Sequence, residues 1–210
     1  VIGIVDYGMG NRRSVEKAFE HVGAQALVSS DHETLLAADG LVVPGVGAFP
    51  RAMENLERLG LADLIRSRVA AGTPTLGICL GMQLAFESST EHGGAAGLGL
   101  LPGAVERLDP GALKLPQIGW NPVEWQRDSP LLAGVPSGTA FYHVHSFAPR
   151  PAEPGDVLGS SEYGAPFVTA VAREPFYGVQ FHPEKSSQLG LRLLGNFVAI
   201  CARTARVAAA

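Results

Sequence analysis

Thr75-Leu76-Gly77-Ile78-Cys79-Leu80-Gly81-Met82-Gln83 is the stretch on which the fold turns. A short apolar run ends at Cys79 and helical patterning follows, the mark of a strand handing over to a helix. The same alternation extends outward from it. Val1-Ile2-Gly3-Ile4-Val5-Asp6 reads as a first strand, and Asn11 as the cap of a helix with Val15, Ala18, Phe19 and Val22 at the spacing of one buried face. Residues 24–29 read as a second strand, and Leu41-Val42-Val43 as another, cut off by Pro44-Gly45 and again followed by helical patterning. Strands alternating with helices predict a parallel, helix-covered sheet. From Leu98 to Gln180 the texture changes to short β-rich pieces broken by Gly and Pro, and Leu191, Leu194, Val198 and Cys201 mark a closing helix. The expected fold is α/β with an antiparallel or mixed extension, one domain over 1–206 and a frayed Ala-rich tail at 207–210.

Composition narrows the ligand. The chain has 210 residues, 46% of them hydrophobic, enough for a full core. With 17% charged residues, a net charge of -4 and no run of like charges, it lacks the electrostatic footprint for nucleic acid or a membrane surface. Small neutral or zwitterionic ligands fit better. The apolar N-terminus is too short for a signal or spanning segment and has no basic flank. Cys79 and Cys201 are expected as reduced thiols in the cytoplasm, because a core of this size needs no staple.

The chemistry concentrates at Gly77-Ile78-Cys79-Leu80-Gly81, a G-x-C-x-G pattern where strand meets helix. A nucleophile on so sharp a turn needs small neighbours two residues away, and a helix N-terminus behind it favours the thiolate. A buried structural cysteine beside a tight turn gives the same pattern. Phe181-His182-Pro183-Glu184, after the apolar Tyr177-Gly178-Val179-Gln180, places a base and its orienter at a strand end. His182 can take the thiol proton, and Glu184 can fix the imidazole tautomer. Pro44-Gly45-Val46-Gly47 ends another strand, where two glycines let the backbone aim an N–H into a crevice. That N–H, at Val46, and the N–H of Leu80 are candidate oxyanion donors. Gln83, four residues after Cys79, falls on the same helical face. His143 and His145 share one strand face as metal ligands do, but no further ligand is recognisable nearby, so no metal and no cofactor is expected.

Gly77-Ile78-Cys79-Leu80-Gly81-Met82-Gln83 together with His182-Pro183-Glu184 resembles the class I, triad-type glutamine amidotransferases. That resemblance implies a flavodoxin-like α/β sheet with an added β region. Asp6-Tyr7-Gly8-Met9-Gly10-Asn11, Pro44-Gly45-Val46-Gly47-Ala48-Phe49 and Ile118-Gly119-Trp120-Asn121-Pro122 narrow it to the branch of glutaminase subunits that serve imidazole glycerol phosphate synthases. Carried over by position, it implies Cys79 as nucleophile, His182 as acid/base and Glu184 as orienter. Gly47, Gln83, His145, Ser146 and Phe147 would line a glutamine pocket, and Trp120, Asn121, Tyr142 and Lys185 would face a partner. The chain departs from the family at Phe147, where Tyr is usual, at His143, where an aromatic residue is common, and at Arg12, where an apolar one is common.

The implied reaction runs through a glutamyl thioester and releases ammonia to a (β/α)8-barrel cyclase subunit, which forms imidazole glycerol phosphate and an aminoimidazole carboxamide ribonucleotide. Rival readings are a glutaminase domain serving an anthranilate- or guanylate-type synthase, a stand-alone thiol hydrolase, and a catalytically silent docking subunit.

Overall fold

The computed structural model describes residues 1–208. Alternating strand and helix fill its first part as the periodicity predicts: β1 (Ile2–Val5), α1 (Arg12–His21), β2 (Ala26–Ser29), α2 (His32–Leu36), β3 (Gly40–Gly45), α3 (Phe49–Arg58), α4 (Leu61–Ala70), β4 (Thr75–Cys79) and α5 (Leu80–Gln83). Strands dominate the rest: β5 (Phe86–Ser89), β6 (Ala95–Ala96), β7 (Leu101–Arg107), β8 (Gln117–Trp125), β9 (Thr139–His145), β10 (Phe147–Pro151), β11 (Val157–Tyr163), β12 (Ala165–Arg173) and β13 (Phe176–Val179), before the closing α6 (Ser187–Ala208).

Nine strands form one sheet in the order β2-β1-β3-β4-β13-β12-β11-β8-β9. The first five are mutually parallel, an order of the flavodoxin type, and β12, β11, β8 and β9 extend the sheet antiparallel. A separate four-stranded mixed sheet, β10-β7-β5-β6, is the rest of the added β region. β1, β3 and β4 are buried along their whole length, because helices cover both faces. Alternate residues of β3 divide between two cores: Val42 packs with Phe19 and Phe197, while Leu41 and Val43 pack with Leu56 and Ile65. In α6, Leu194 and Cys201 are buried and Leu191 and Val198 are half-buried against the first core, as the spacing predicts.

Several local expectations are corrected. β3 does not stop before Pro44. Its pairing with β1 ends at Val42, so no ladder asks for the N–H that Pro44 lacks, and Pro44 and Gly45 continue opposite Ile78 and Cys79 of β4. Asn11 stands at the N-cap but its side chain caps nothing, since ψ 63° is not the extended conformation that aims a capping oxygen. Arg12, beside it, forms an ion pair with Asp6. After β4 there is only the single turn α5, because Leu84, Ala85 and Phe86 are all fully buried and feed straight into β5. At the C-terminus α6 remains helical through Ala208, and residues 209–210 of the tail expected to fray lie outside the described residues.

Candidate active site

Topology assembles the site. β3, β4 and β13 are adjacent and parallel, with Gly45 opposite Cys79 and Ile78 opposite Val179. The loops leaving their C-terminal ends therefore emerge side by side, where open parallel sheets bind ligands. Pro44 to Gly47, the Cys79 turn and the His182 turn, distant in sequence, meet there for that reason.

Cys79 occupies a strained corner at φ 54°, ψ -111°, a conformation that a residue with a side chain adopts only when its surroundings hold it. The glycines beside it are sterically required. A Cβ on Gly81 would lie 1.7 Å from the Val43 carbonyl oxygen, and one on Gly77 would lie 2.6 Å from the Gly81 carbonyl oxygen. The expected help from a helix N-terminus is corrected: α5 has only four residues, too few to align the peptide dipoles of a long helix. The sulfur depends instead on its neighbours. Sγ lies 3.9 Å from the Val144 carbonyl oxygen and 3.6 Å from Nε2 of Gln180.

His182 follows β13 and opens the short turn Pro183–Lys185, which returns Glu184 beneath the imidazole. Nδ1 of His182 stands 3.0 Å from Oε1 of Glu184, with side-chain exposures of 4% and 1%. The backbone is pinned as well: His182 N–H donates to the Tyr142 carbonyl at 2.9 Å, and Ser186 Oγ donates to the His182 carbonyl at 2.6 Å. Burial pulls the imidazole toward its neutral form, but its hydrogen bonds to Cys79 and Glu184 and their negative charge outweigh that and push His182 up to about 10. His182 is thus a stronger base than a free imidazole, set between a carboxylate on one side and sulfur on the other.

A cavity of about 400 Å³ opens over these groups, lined by Val46, Gly47, Cys79, Leu80, Gln83, Glu91, Pro116, Val144, His145, Ser146, Phe147, His182 and Lys185. Its size suits a small ligand. Gly47 turns at φ 107° and Val46 is exposed, so the Val46 peptide sits at the mouth. Gln83 lines the cavity, and its Nε2 donates at 3.0 Å both to the Phe147 carbonyl and to Oε1 of Gln180. His145 is held by the Phe147 carbonyl through Nδ1 at 2.8 Å, and its buried Nε2 has no hydrogen-bond partner among the described residues. His143 is fully buried and bridges the Phe141 carbonyl and the Thr169 hydroxyl.

Trp120, Asn121 and Tyr142 do not line the cavity. They lie on β8 and β9, where Trp120 is 55% exposed and meets Tyr142 edge-on at 6.1 Å. Nζ of Lys185 lies 6.0 Å from the Tyr142 ring, linking that patch to the cavity, while Asn121 Nδ2 donates to the Glu162 carbonyl at 2.9 Å. Sequence reasoning missed Glu91, Pro116 and Val144 in the lining and Gln180 beside the sulfur. Glu91, whose carboxylate accepts from the Phe49 N–H at 2.8 Å, comes from the short 3-10 turn Glu91–Gly93, which no periodicity marks. Gln180 was readable only as the end of an apolar strand.

The profile of the class-I glutamine amidotransferase family matches residues 3–201. The chain belongs to that family. Among curated relatives it is 50% identical over 196 residues to imidazole glycerol phosphate synthase subunit HisH of Moorella thermoacetica, covering 93% of each chain. It is 52% identical over 196 residues to the subunit of the same name from Symbiobacterium thermophilum, covering 93% of this chain and 92% of the relative. Among solved structures, a glutamine amidotransferase superposes with a TM-score of 0.76 at 20% identity, over 96% of this chain and 99% of that one. A putative GMP synthase subunit from Thermoplasma acidophilum matches with a TM-score of 0.76 at 22% identity, over 100% of this chain and 97% of the other. These two likenesses concern the fold. No helix among the described residues is long and apolar enough to cross a membrane.

Proposed function

We propose that this chain, a single class I domain over 1–206, hydrolyses glutamine to glutamate and ammonia as the cytoplasmic glutaminase subunit of an imidazole glycerol phosphate synthase, in histidine biosynthesis. The observation that carries the reading is the buried line of Glu184, His182 and Cys79 at one wall of the cavity, in a member of this family.

His182 takes the proton of Cys79, and the sulfur attacks the side-chain carbonyl carbon of glutamine. The oxygen that becomes negative is held by the N–H of Leu80 and, when its peptide points inward, the N–H of Val46. As the C–N bond breaks, His182 returns its proton to the departing nitrogen and ammonia leaves, with the glutamyl group on sulfur as a thioester. Water, deprotonated by the same imidazole, attacks the thioester and releases glutamate and Cys79. Glu184 keeps Nδ1 protonated throughout, so that Nε2 is the working nitrogen. Gly47, Gln83, His145, Ser146 and Phe147 form the glutamine pocket. Glu91, the carboxylate in the lining, suits the substrate's ammonium group.

Ammonia passes to a cyclase subunit with a (β/α)8 barrel, docked at Trp120, Asn121, Tyr142 and Lys185. An exposed Trp packed edge-on against a half-buried Tyr, with an ammonium over the Tyr ring, presents the residue types that anchor interfaces. The Val46 peptide, between Gly45 and Gly47, gates the reaction: with one oxyanion donor turned away, turnover falls by ~10²–10³, and docking shifts the population toward the inward orientation. Glutamate release is to be measured for the chain alone, with the synthase, and with synthase plus its nucleotide ligand. The rate is expected to rise stepwise. Full turnover by the chain alone refutes the gate, and no hydrolysis in any arm refutes the glutaminase reading.

A further inference from the structure

Gln180 is fully buried and its carboxamide touches the sulfur. Which end of an amide faces a neighbour has to be argued from the hydrogen bonds around it. Here they leave one answer. The Phe147 carbonyl can only accept, so the group 3.0 Å from it is the NH₂ of Gln83. That same NH₂ lies 3.0 Å from the Gln180 carboxamide, which must present its oxygen to it. The NH₂ of Gln180 is thereby turned to Cys79, with Nε2 3.6 Å from Sγ. Reversing Gln180 would set two NH₂ groups against each other and leave an oxygen facing the sulfur.

We propose that Gln180 is a catalytic residue that donates a hydrogen bond to the Cys79 thiolate, aimed by Gln83 and through it by the pocket wall at Phe147; this rests on the reading of Cys79 as nucleophile. The need for such a donor follows from the surroundings of the sulfur. The nearby Val144 carbonyl, at 3.9 Å, can accept from a thiol but repels a thiolate, and the turn α5 offers little helix dipole. A fixed NH₂ favours the charged form, and it stays in place while the imidazole moves its proton between sulfur and leaving nitrogen. The chain of amides also ties the nucleophile to the wall of the glutamine pocket.

Alkylation of Cys79 by iodoacetamide, followed across a pH series on the peptide that contains it, reads the thiolate directly; the buried Cys201 peptide is the internal control for intactness. The complex with the synthase is compared as wild type, Gln180→Leu, Gln180→Glu and Gln83→Ala. Gln180→Leu is expected to raise the pH midpoint by about one and to lower kcat for glutamine about tenfold. Gln180→Glu is expected to raise the midpoint further, because a carboxylate then faces the sulfur. Gln83→Ala, which frees the amide to turn, moves it the same way by less and decides the matter if the Gln180 variants do not fold. An unmoved midpoint in the folded variants overturns the role of Gln180 while leaving Cys79 as nucleophile. Retained glutamine hydrolysis in Cys79→Ala overturns instead the reading on which the proposal rests.

Discussion

Replacing Glu184 with Gln removes one charge and almost no volume, so its effect isolates what the carboxylate does for His182. The carboxylate stands 3.0 Å from Nδ1, with both side chains nearly inaccessible, and Oε2 has no hydrogen-bond partner among the described residues. Two placements of the new amide follow. With NH₂ toward the ring, Nδ1 becomes the acceptor, the proton moves to Nε2, and that nitrogen can no longer take one from Cys79. With the oxygen toward the ring, the tautomer survives, but a buried NH₂ replaces the unpartnered Oε2 and stays unsatisfied, at ~1–3 kcal/mol. In either case the charge that holds the imidazolium is gone, and hydrogen bonds to charged groups are worth ~1.5–3 kcal/mol. Glutamine hydrolysis is expected to fall by ~10² to 10⁴, the upper figure being that of a lost tautomer in a serine-type triad. Glutamate release by the complex is the assay, with ammonia-dependent synthesis by the same preparation as the check on folding and docking. Undiminished glutamine turnover in Glu184→Gln refutes the orienting role and the tautomer argument with it.

Two further outcomes are expected. Burial, with His145 and then His182 as neighbouring positive charges, holds His143 down to about 3 against the Phe141 carbonyl, and burial chiefly holds His145 down to about 4. Both lie below the unfolded value of about 6.5, so their stabilisation is present above that pH and is lost as pH falls from it toward 4 and 3, each at ~1.4 kcal/mol per pH unit. His143→Phe should therefore show a shallower fall of Tm on acidification than the wild type, and parallel curves count against the account. Trp120→Ala and Lys185→Ala should each weaken binding of the synthase, read by titration calorimetry, and unchanged affinity in both removes this patch as the interface.

Much of the fold was legible because its signals are local. Thr75 to Cys79 is a continuous apolar run that only a buried parallel strand or a core helix explains, and Gly81 marks a backbone contact so close that the turn admits no side chain. The places that escaped depend on distant partners. Pro44 stays in β3 because of where β1 stops pairing, and no residue near Pro44 announces that. Leu84 to Phe86 continue the apolar spacing of a helix yet pass into the second sheet, whose partner strand lies at Leu101–Arg107. Cys79, His182 and Glu184 were legible as two motifs at strand ends, whereas Gln180 is a polar residue at the end of an apolar strand and acquires meaning only when β13 lies beside β4.

The central claim is that Cys79 is the nucleophile that makes ammonia from glutamine for a partner enzyme. Substituting Ala at that position in the complex and measuring synthesis twice, once from glutamine and once from free ammonia, tests it most directly. Loss of the glutamine-dependent rate with the ammonia-dependent rate intact is the predicted result. Glutamine-dependent synthesis that survives in Cys79→Ala, or that is abolished by Cys201→Ala instead, contradicts it.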